Sequence, residues 1–295
     1  MGEVIKVIVL ALLQGVTELF PVSSLGHTII VPDLLGWGSL VQSDTFLPIV
    51  VVLHLGTAIA LLTFFWRDWL ALIRAFFKTL FARRLDADPQ GKTIWLVIVA
   101  TIPVGLLGLI FEKQIDEIFF AAPYPLIPAA FLCLNGAVLY GAEKLRQRAE
   151  PKDVSREKQE QTFKSIDEMS FLQAFLIGTF QATALIPGIS RSGITMVGCL
   201  RAKLRHEDAA RFTFLLATPV IGAAALKEIP VLFGASKNII EAAIVGGIVA
   251  GVAAFLSVKF LMRYFEVGRL TPFAFYCFGA GLIAFAYFAP LALRQ

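Results

Sequence analysis

The chain has 295 residues, of which 57% are hydrophobic and 16% charged, and its mean hydropathy is +0.76. That is more apolar surface than a soluble fold can hide, so the composition excludes a soluble globular domain and points to a membrane protein. The net charge of +4 comes from Lys and Arg in connecting segments, where they orient a membrane protein, and a nucleic-acid role is excluded.

The first region, residues 4–33, is apolar at both ends and polar in the middle. Its opening run, Val7 to Leu13, could pass for a signal-peptide core. Gln14 and Glu18 follow instead of a small-residue cleavage pattern, so the segment is expected to stay in the mature protein. Lys6 stands where a myristoylation signal needs Ser or Thr. A hydrocarbon core of ~30 Å needs about 20 mostly apolar residues per helix. Six segments meet that length: residues 46–65, 93–111, 125–140, 209–226, 239–261 and 272–291. Residues 171–200 repeat the pattern of the first region, apolar at the ends and broken in the middle.

The two broken regions are read as re-entrant helical hairpins, because irregular backbone survives at membrane depth only where protein or a water-filled cavity satisfies it. Residues 67–92 hold six Lys or Arg against three acids, and residues 141–170 hold seven bases among seven acids. Both are expected on the cytoplasmic side; residues 112–124, with three acids and Lys113, are expected outside. The expected fold is therefore an all-α polytopic membrane protein with six spans and two hairpins. It forms a single integral membrane domain over 1–295: repeat one at 1–140, a polar linker at 141–170 and repeat two at 171–295. One hairpin plus three spans is an odd number of crossings, so the second repeat enters with inverted topology and both termini lie outside. The linker is expected to be a mobile or partly helical loop.

The polar centres of the two hairpins look like versions of each other. Setting Ser23 against Ser190 brings Gly26 onto Gly193, Thr28 onto Thr195 and Gln14 onto Gln181, with Pro21 and Pro187 one residue out of step. Paired polar motifs in two membrane repeats predict a site between the halves. Gln14 and Glu18 share one helix face. A carboxylate in hydrocarbon is unfavourable by a few kcal/mol, so Glu18 needs a cation, a donor or a proton. Lys6 near the surface is the bland partner, and a divalent ion with substrate oxygens the functional one. Ser23, Ser24 and His27 follow a proline that interrupts the helix. Taken alone, the serines would cap the next helix and His27 would donate to a carbonyl. The loop Pro187-Gly188-Ile189-Ser190-Arg191-Ser192-Gly193 adds hydroxyls and a guanidinium ahead of a helix, a combination that suits phosphate oxygens, and it tips the balance to a site.

His54 is a lone imidazole in a span and a candidate for supporting that site. His206 sits in a basic run read as a solvated or interfacial helix start, with no chemistry assigned. Cys133, Cys199 and Cys277 are far apart among apolar neighbours and read as packing residues. The 26 Phe are expected to face lipid and neighbouring helices.

With Gln14-xxx-Glu18, Pro21-Val-Ser23-Ser24-Leu-Gly26-His27 and Pro187-Gly188-Ile-Ser190-Arg191-Ser192-Gly193 in order, the chain resembles the bacterial undecaprenyl-pyrophosphate phosphatase family linked to bacitracin resistance. The resemblance extends to His54-Leu-Gly-Thr and to Phe212-Thr-Phe-Leu-Leu-Ala-Thr-Pro219. It implies hydrolysis of undecaprenyl pyrophosphate to the monophosphate carrier used in cell-wall synthesis, in the inner membrane, at a site open to the outer face. Carried over by residue, it makes Ser24, His27, Glu18 and Arg191 the catalytic group. Ser23, Gly188, Ser190, Ser192, Gly193 and His54 would then bind substrate, and Glu18 and Gln14 would hold Mg²⁺ or Ca²⁺. Many relatives carry Glu where this chain has Gln14, which removes a metal-ligand charge. In the expected mechanism Ser24 attacks with His27 as general base; a phosphohistidine at His27, or direct attack by water, stays open. The expected partners are the polyisoprenyl pyrophosphate substrate and bilayer lipid, with a homodimer left open. A transporter or flippase for a phosphorylated lipid is the alternative function, since carriers also use inverted repeats with broken helices.

Overall fold

The structure, a computed structural model, describes residues 2–41, 43, 45–119, 125–149 and 163–293. It is all-helical: no strand occurs among the described residues beyond an isolated bridge between Lys164 and Leu204. The first broken region forms α1 (Gly2–Thr17) and α2 (Ser24–Leu34), followed by a short α3 (Gly38–Val41). Next come α4 (Phe46–Phe64), α5 (Trp66–Ala82), α6 (Gly91–Phe119) and α7 (Leu126–Ala149). The second broken region forms α8 (Phe171–Gln181), a 3₁₀ turn (Ala182–Leu185) and α9 (Arg191–Arg201). The chain ends with α10 (His206–Glu228), α11 (Lys237–Tyr264) and α12 (Thr271–Ala292).

Six helices, α4, α6, α7, α10, α11 and α12, are long and apolar enough to cross a membrane. They coincide with the six expected spans. Their burial differs: α10 is 61% buried over its most apolar window, the others 28–44%, so α10 is the central helix and the rest turn a face to lipid. Phe212 and Phe214 of α10 lie in the core, while Phe275, Phe278 and Phe285 of α12 are exposed. Close packing depends on missing side chains. A Cβ on Gly56 would run into the Gly247 carbonyl oxygen, which holds α4 and α11 backbone to backbone.

The start of the linker is helical, one of the two expected states. Helix α7 runs on to Ala149, and residues 150–162 lie outside the described residues. Because α7 is longer, Glu143 stays at the end of the bundle. There it meets His206 Nε2 at 3.0 Å and accepts from the Leu270 N–H at 3.1 Å. His206, expected at a solvated or interfacial helix start, is the first residue of α10; its side chain is only 13% exposed and ties the start of α10 to the end of α7. Arg146 donates to the Leu204 carbonyl at 2.6 Å and sits over the Phe163 ring, fastening the far end of the linker to the same place.

Candidate active site

Both broken regions end their first helix just before the proline and restart at a serine N-cap. Ser23 Oγ accepts from Gly26 N–H at 3.3 Å, and Ser190 Oγ accepts from Gly193 N–H at 3.1 Å. The residues paired by sequence therefore make the same cap twice. The two breaks also abut. Gly188 N–H donates to Ser23 Oγ at 3.2 Å, and Ser192 Oγ donates to the Phe20 carbonyl at 2.9 Å. Gly188 has φ +104, and a Cβ there would run into the Pro128 carbonyl oxygen; only glycine fits.

Asn135, in the middle of α7, joins the two loops. Its Nδ2 donates to the Pro21 carbonyl at 3.1 Å and to Cys277 Sγ at 3.3 Å, and its Oδ1 accepts from Ser190 N–H at 3.0 Å.

Glu18, one residue beyond α1, is the hub. Its side chain is 2% exposed. Arg191, the first residue of α9, donates to Oε1; Ser24, the first of α2, donates to Oε2. Gln14 Nε2, one turn back on α1, also reaches Oε2, at 2.8 Å. The guanidinium offsets much of the cost of holding a carboxylate at this depth. Lys6 is not the partner, as it lies over the Trp37 ring at 5.7 Å. The side chains of Arg191 and His54 are 22% and 25% exposed, so the site opens past these two residues while Glu18 stays enclosed.

The two histidines are held alike. His27 Nδ1 lies 2.7 Å from the Ser23 carbonyl and His54 Nδ1 lies 2.9 Å from the Val50 carbonyl. A carbonyl only accepts, so each Nδ1 carries a proton and Nε2 is the ring nitrogen left to face the rest of the site. For His27 that nitrogen meets the Tyr276 hydroxyl of α12 at 2.9 Å, with the two rings stacked. For His54 it lies 3.2 Å from Gln14 Nε2 and 3.8 Å from Glu18 Oε2.

The expected Ser24–His27 contact is not made. The group that accepts from Ser24 is Glu18, because the first turn of α2 points Ser24 back at α1 while His27, one turn on, points at α12. Glu18, Ser24, Arg191, Gln14 and His54 thus form one cluster, with His27 beside it. Ser23, Ser190, Ser192, Gly188 and Gly193 build the loops: their hydroxyls and the N–H groups of Gly188, Ser190 and Gly193 are engaged within the protein. Asn135 and Tyr276 escaped the sequence reading. An Asn inside the apolar run Leu132-Cys-Leu-Asn135 was a usable signal; Tyr276 gave none, since a tyrosine in an aromatic helix is ordinary.

For a hard divalent cation, this chain offers the Glu18 carboxylate, the Gln14 amide oxygen and the Ser24 hydroxyl. No group of three His, Cys, Asp or Glu occurs among the described residues. Such a donor set suits an ion completed by phosphate oxygens.

Six spans around a serine, a carboxylate, imidazoles and a guanidinium, gathered where two broken helices meet, define a polytopic α-helical membrane protein with an enclosed polar centre. The model of the bacitracin resistance protein BacA family matches residues 7–283. The chain belongs to that family. It is 46% identical to "Undecaprenyl-diphosphatase 1" of Burkholderia pseudomallei over 95% of either chain. It is 45% identical to "Undecaprenyl-diphosphatase" of Mycobacterium avium over 98% of either chain, and 42% identical to "Undecaprenyl-diphosphatase 2" of Frankia alni over 95% of this chain and 96% of that one.

Proposed function

We propose that this protein hydrolyses undecaprenyl pyrophosphate to undecaprenyl phosphate and inorganic phosphate, returning the carrier to cell-wall synthesis and so conferring bacitracin resistance. The family membership and the full-length relatives support the activity. The observation that carries the mechanism is the pair of contacts on Glu18, with Ser24 on one oxygen and Arg191 on the other.

In this mechanism Arg191 turns from Glu18 to the terminal phosphoryl oxygens, aided by its exposure at the mouth. Ser24 Oγ attacks the terminal phosphorus in line as its proton passes to Glu18 Oε2. The bond from that phosphorus to the bridging oxygen breaks, undecaprenyl phosphate leaves, and a phosphoserine remains. Glu18, having passed the first proton to the departing bridging oxygen, takes a proton from water, which attacks the phosphoserine phosphorus. The bond from Ser24 Oγ to that phosphorus breaks, Oγ takes the proton from Glu18, and phosphate leaves. Catalysis of this kind rests on positioning and charge neutralisation. Glu18 and Gln14 would hold Mg²⁺ or Ca²⁺, which supplies further neutralisation of the pyrophosphate charge. The phosphohistidine route is disfavoured because both ring nitrogens of His27 already have partners.

The architecture proposed with it is an inverted repeat with re-entrant hairpins in the inner membrane, the site opening to the periplasmic face. Matching α1, α2, α4, α6 and α7 to α8 to α12 in order gives a contact pattern that supports it. Helix α1 packs on α11 as α8 packs on α6, and α4 and α7 pack on their own counterparts, α10 and α12. The Glu143, His206 and Leu270 contacts place the end of α7 and the starts of α10 and α12 on one side. That side carries the basic segments, as a cytoplasmic face does. Asn135 lies nine residues beyond Leu126, where α7 begins, or about 14 Å into a core of ~30 Å.

The test is phosphate release from undecaprenyl pyrophosphate by detergent-purified protein, with and without Mg²⁺ or Ca²⁺. Wild type should show cation-dependent release, and Arg191→Ala should lose kcat, because the developing charge is greatest in the transition state. His27→Ala should lose kcat too, through the packing at Ser23 and Tyr276. Unchanged kcat in Arg191→Ala would overturn the clamp; no release from folded wild type would favour a lipid carrier.

A further inference from the structure

Helix α5 lies outside the catalytic centre and is too charged to cross a bilayer. Hydropathy and charge read its residues as part of a basic connection; the structure makes them 17 residues of helix with three distinct faces. One face is buried in the protein: Leu72, Ala75 and Thr79. Thr79 Oγ1 accepts from Trp95 Nε1 at 2.9 Å near the start of α6, and Asp68 accepts from Arg211 near the start of α10. Both ends of α5 are therefore pinned within the first two turns of spans, so the helix lies across the end of the bundle and not along it.

A second face is apolar and uncovered. Trp66, Leu70, Ile73, Phe77, Leu80 and Phe81 follow helical spacing and are 45–81% exposed. A third, about a quarter turn round the helix, carries Arg67, Arg74 and Lys78, all exposed. Arg67 lies over the Trp66 ring, Lys78 is 3.2 Å from Asp88, and Arg74 acts on the same carboxylate at longer range. An apolar stripe bordered by a cationic ridge is the form of a helix that lies in a membrane interface.

We infer that α5 is a docking surface for anionic phospholipid: its apolar stripe sits at the acyl boundary and Arg67, Arg74 and Lys78 hold headgroup phosphates of that leaflet. Charge complementarity selects the lipid class, since a zwitterionic headgroup presents its phosphate with an ammonium group beside it. Trp66, in the stripe and next to the ridge, is a built-in reporter.

The full-length protein, with Trp37, Trp69 and Trp95 replaced by Phe, would be placed in nanodiscs of equal parts phosphatidylglycerol and phosphatidylcholine with one or the other brominated, and Trp66 quenching measured. Quenching should be about threefold stronger with the anionic lipid, and R67Q/R74Q/K78Q should abolish the preference. Equal quenching by both lipids in the wild-type ridge would overturn headgroup recognition. An unquenched Trp66 would take the face out of the bilayer and overturn the inference altogether, leaving a protein partner as its cover. If the Trp-depleted background does not fold, native mass spectrometry of the unaltered protein decides instead. Phosphatidylglycerol retained about threefold over phosphatidylcholine supports the inference, and equal retention refutes it.

Discussion

Replacing Asn135 by alanine should unfasten the two site loops from each other. Asn135 is 1% exposed, and its amide holds the Pro21 carbonyl at 3.1 Å on one side and the Ser190 N–H at 3.0 Å on the other. Alanine leaves both partners in a site that offers little water. An unsatisfied buried group costs about 1–3 kcal/mol. The Pro21 carbonyl keeps a weak donor in Cys277 Sγ at 3.7 Å, so about 3 kcal/mol in total is a reasonable expectation. For a chain of this size that lowers the melting temperature by about 6–12 °C. Because Ser190 caps the helix that begins with Arg191, kcat should also fall by about 10². Thermal melting in detergent and phosphate release measure the two effects on one preparation. Leu134→Ala, at a neighbour 48% exposed to lipid, is the control and should change stability by about 0.5 kcal/mol or less. An Asn135→Ala protein that melts and turns over like wild type would refute the argument that this amide holds the site together.

Ser24→Ala should retain fold and substrate binding and lose kcat by at least about 10³, read by single-turnover phosphate release; near-normal turnover would rule out the serine route. Tyr276→Phe keeps the ring stacked on His27 but removes its hydroxyl, so kcat should drop by about 3–10-fold with KM unchanged. A change confined to KM would place Tyr276 in lipid binding instead. Gly56→Ala forces α4 away from the Gly247 carbonyl and should destabilise by about 1–3 kcal/mol, seen as a lower melting temperature with little change in the KM of the folded fraction.

Much of the fold is legible in the amino-acid sequence because hydrocarbon imposes a one-dimensional rule: a span must be long and apolar, and its connections carry the charge. The six spans follow from that rule, with ends shifted by a few residues. The exceptions have local causes. Helix α7 continues past its apolar stretch because Glu143 finds partners in His206 and the Leu270 N–H, and α5 is helical because one face packs on α6. The partners of Glu143 lie 63 and 127 residues away in the chain. Glu18, Ser24, His27 and Arg191 stand out as polar residues out of place in apolar sequence, and the repeated serine and glycine caps stand out as a repeat.

The sequence by itself marked Glu18, Ser24, His27 and Arg191 as candidates for the chemistry, since a costly polar group in a membrane segment announces itself by composition. Which of them act together was decided only by tertiary structure. Ser24 turns to Glu18 and not to His27, Asn135 holds two loops that lie more than a hundred residues apart in the chain, and Tyr276 takes the imidazole. Hydrogen bonds act over about 3 Å and depend on direction, and that direction is set by the packing of helices distant in sequence.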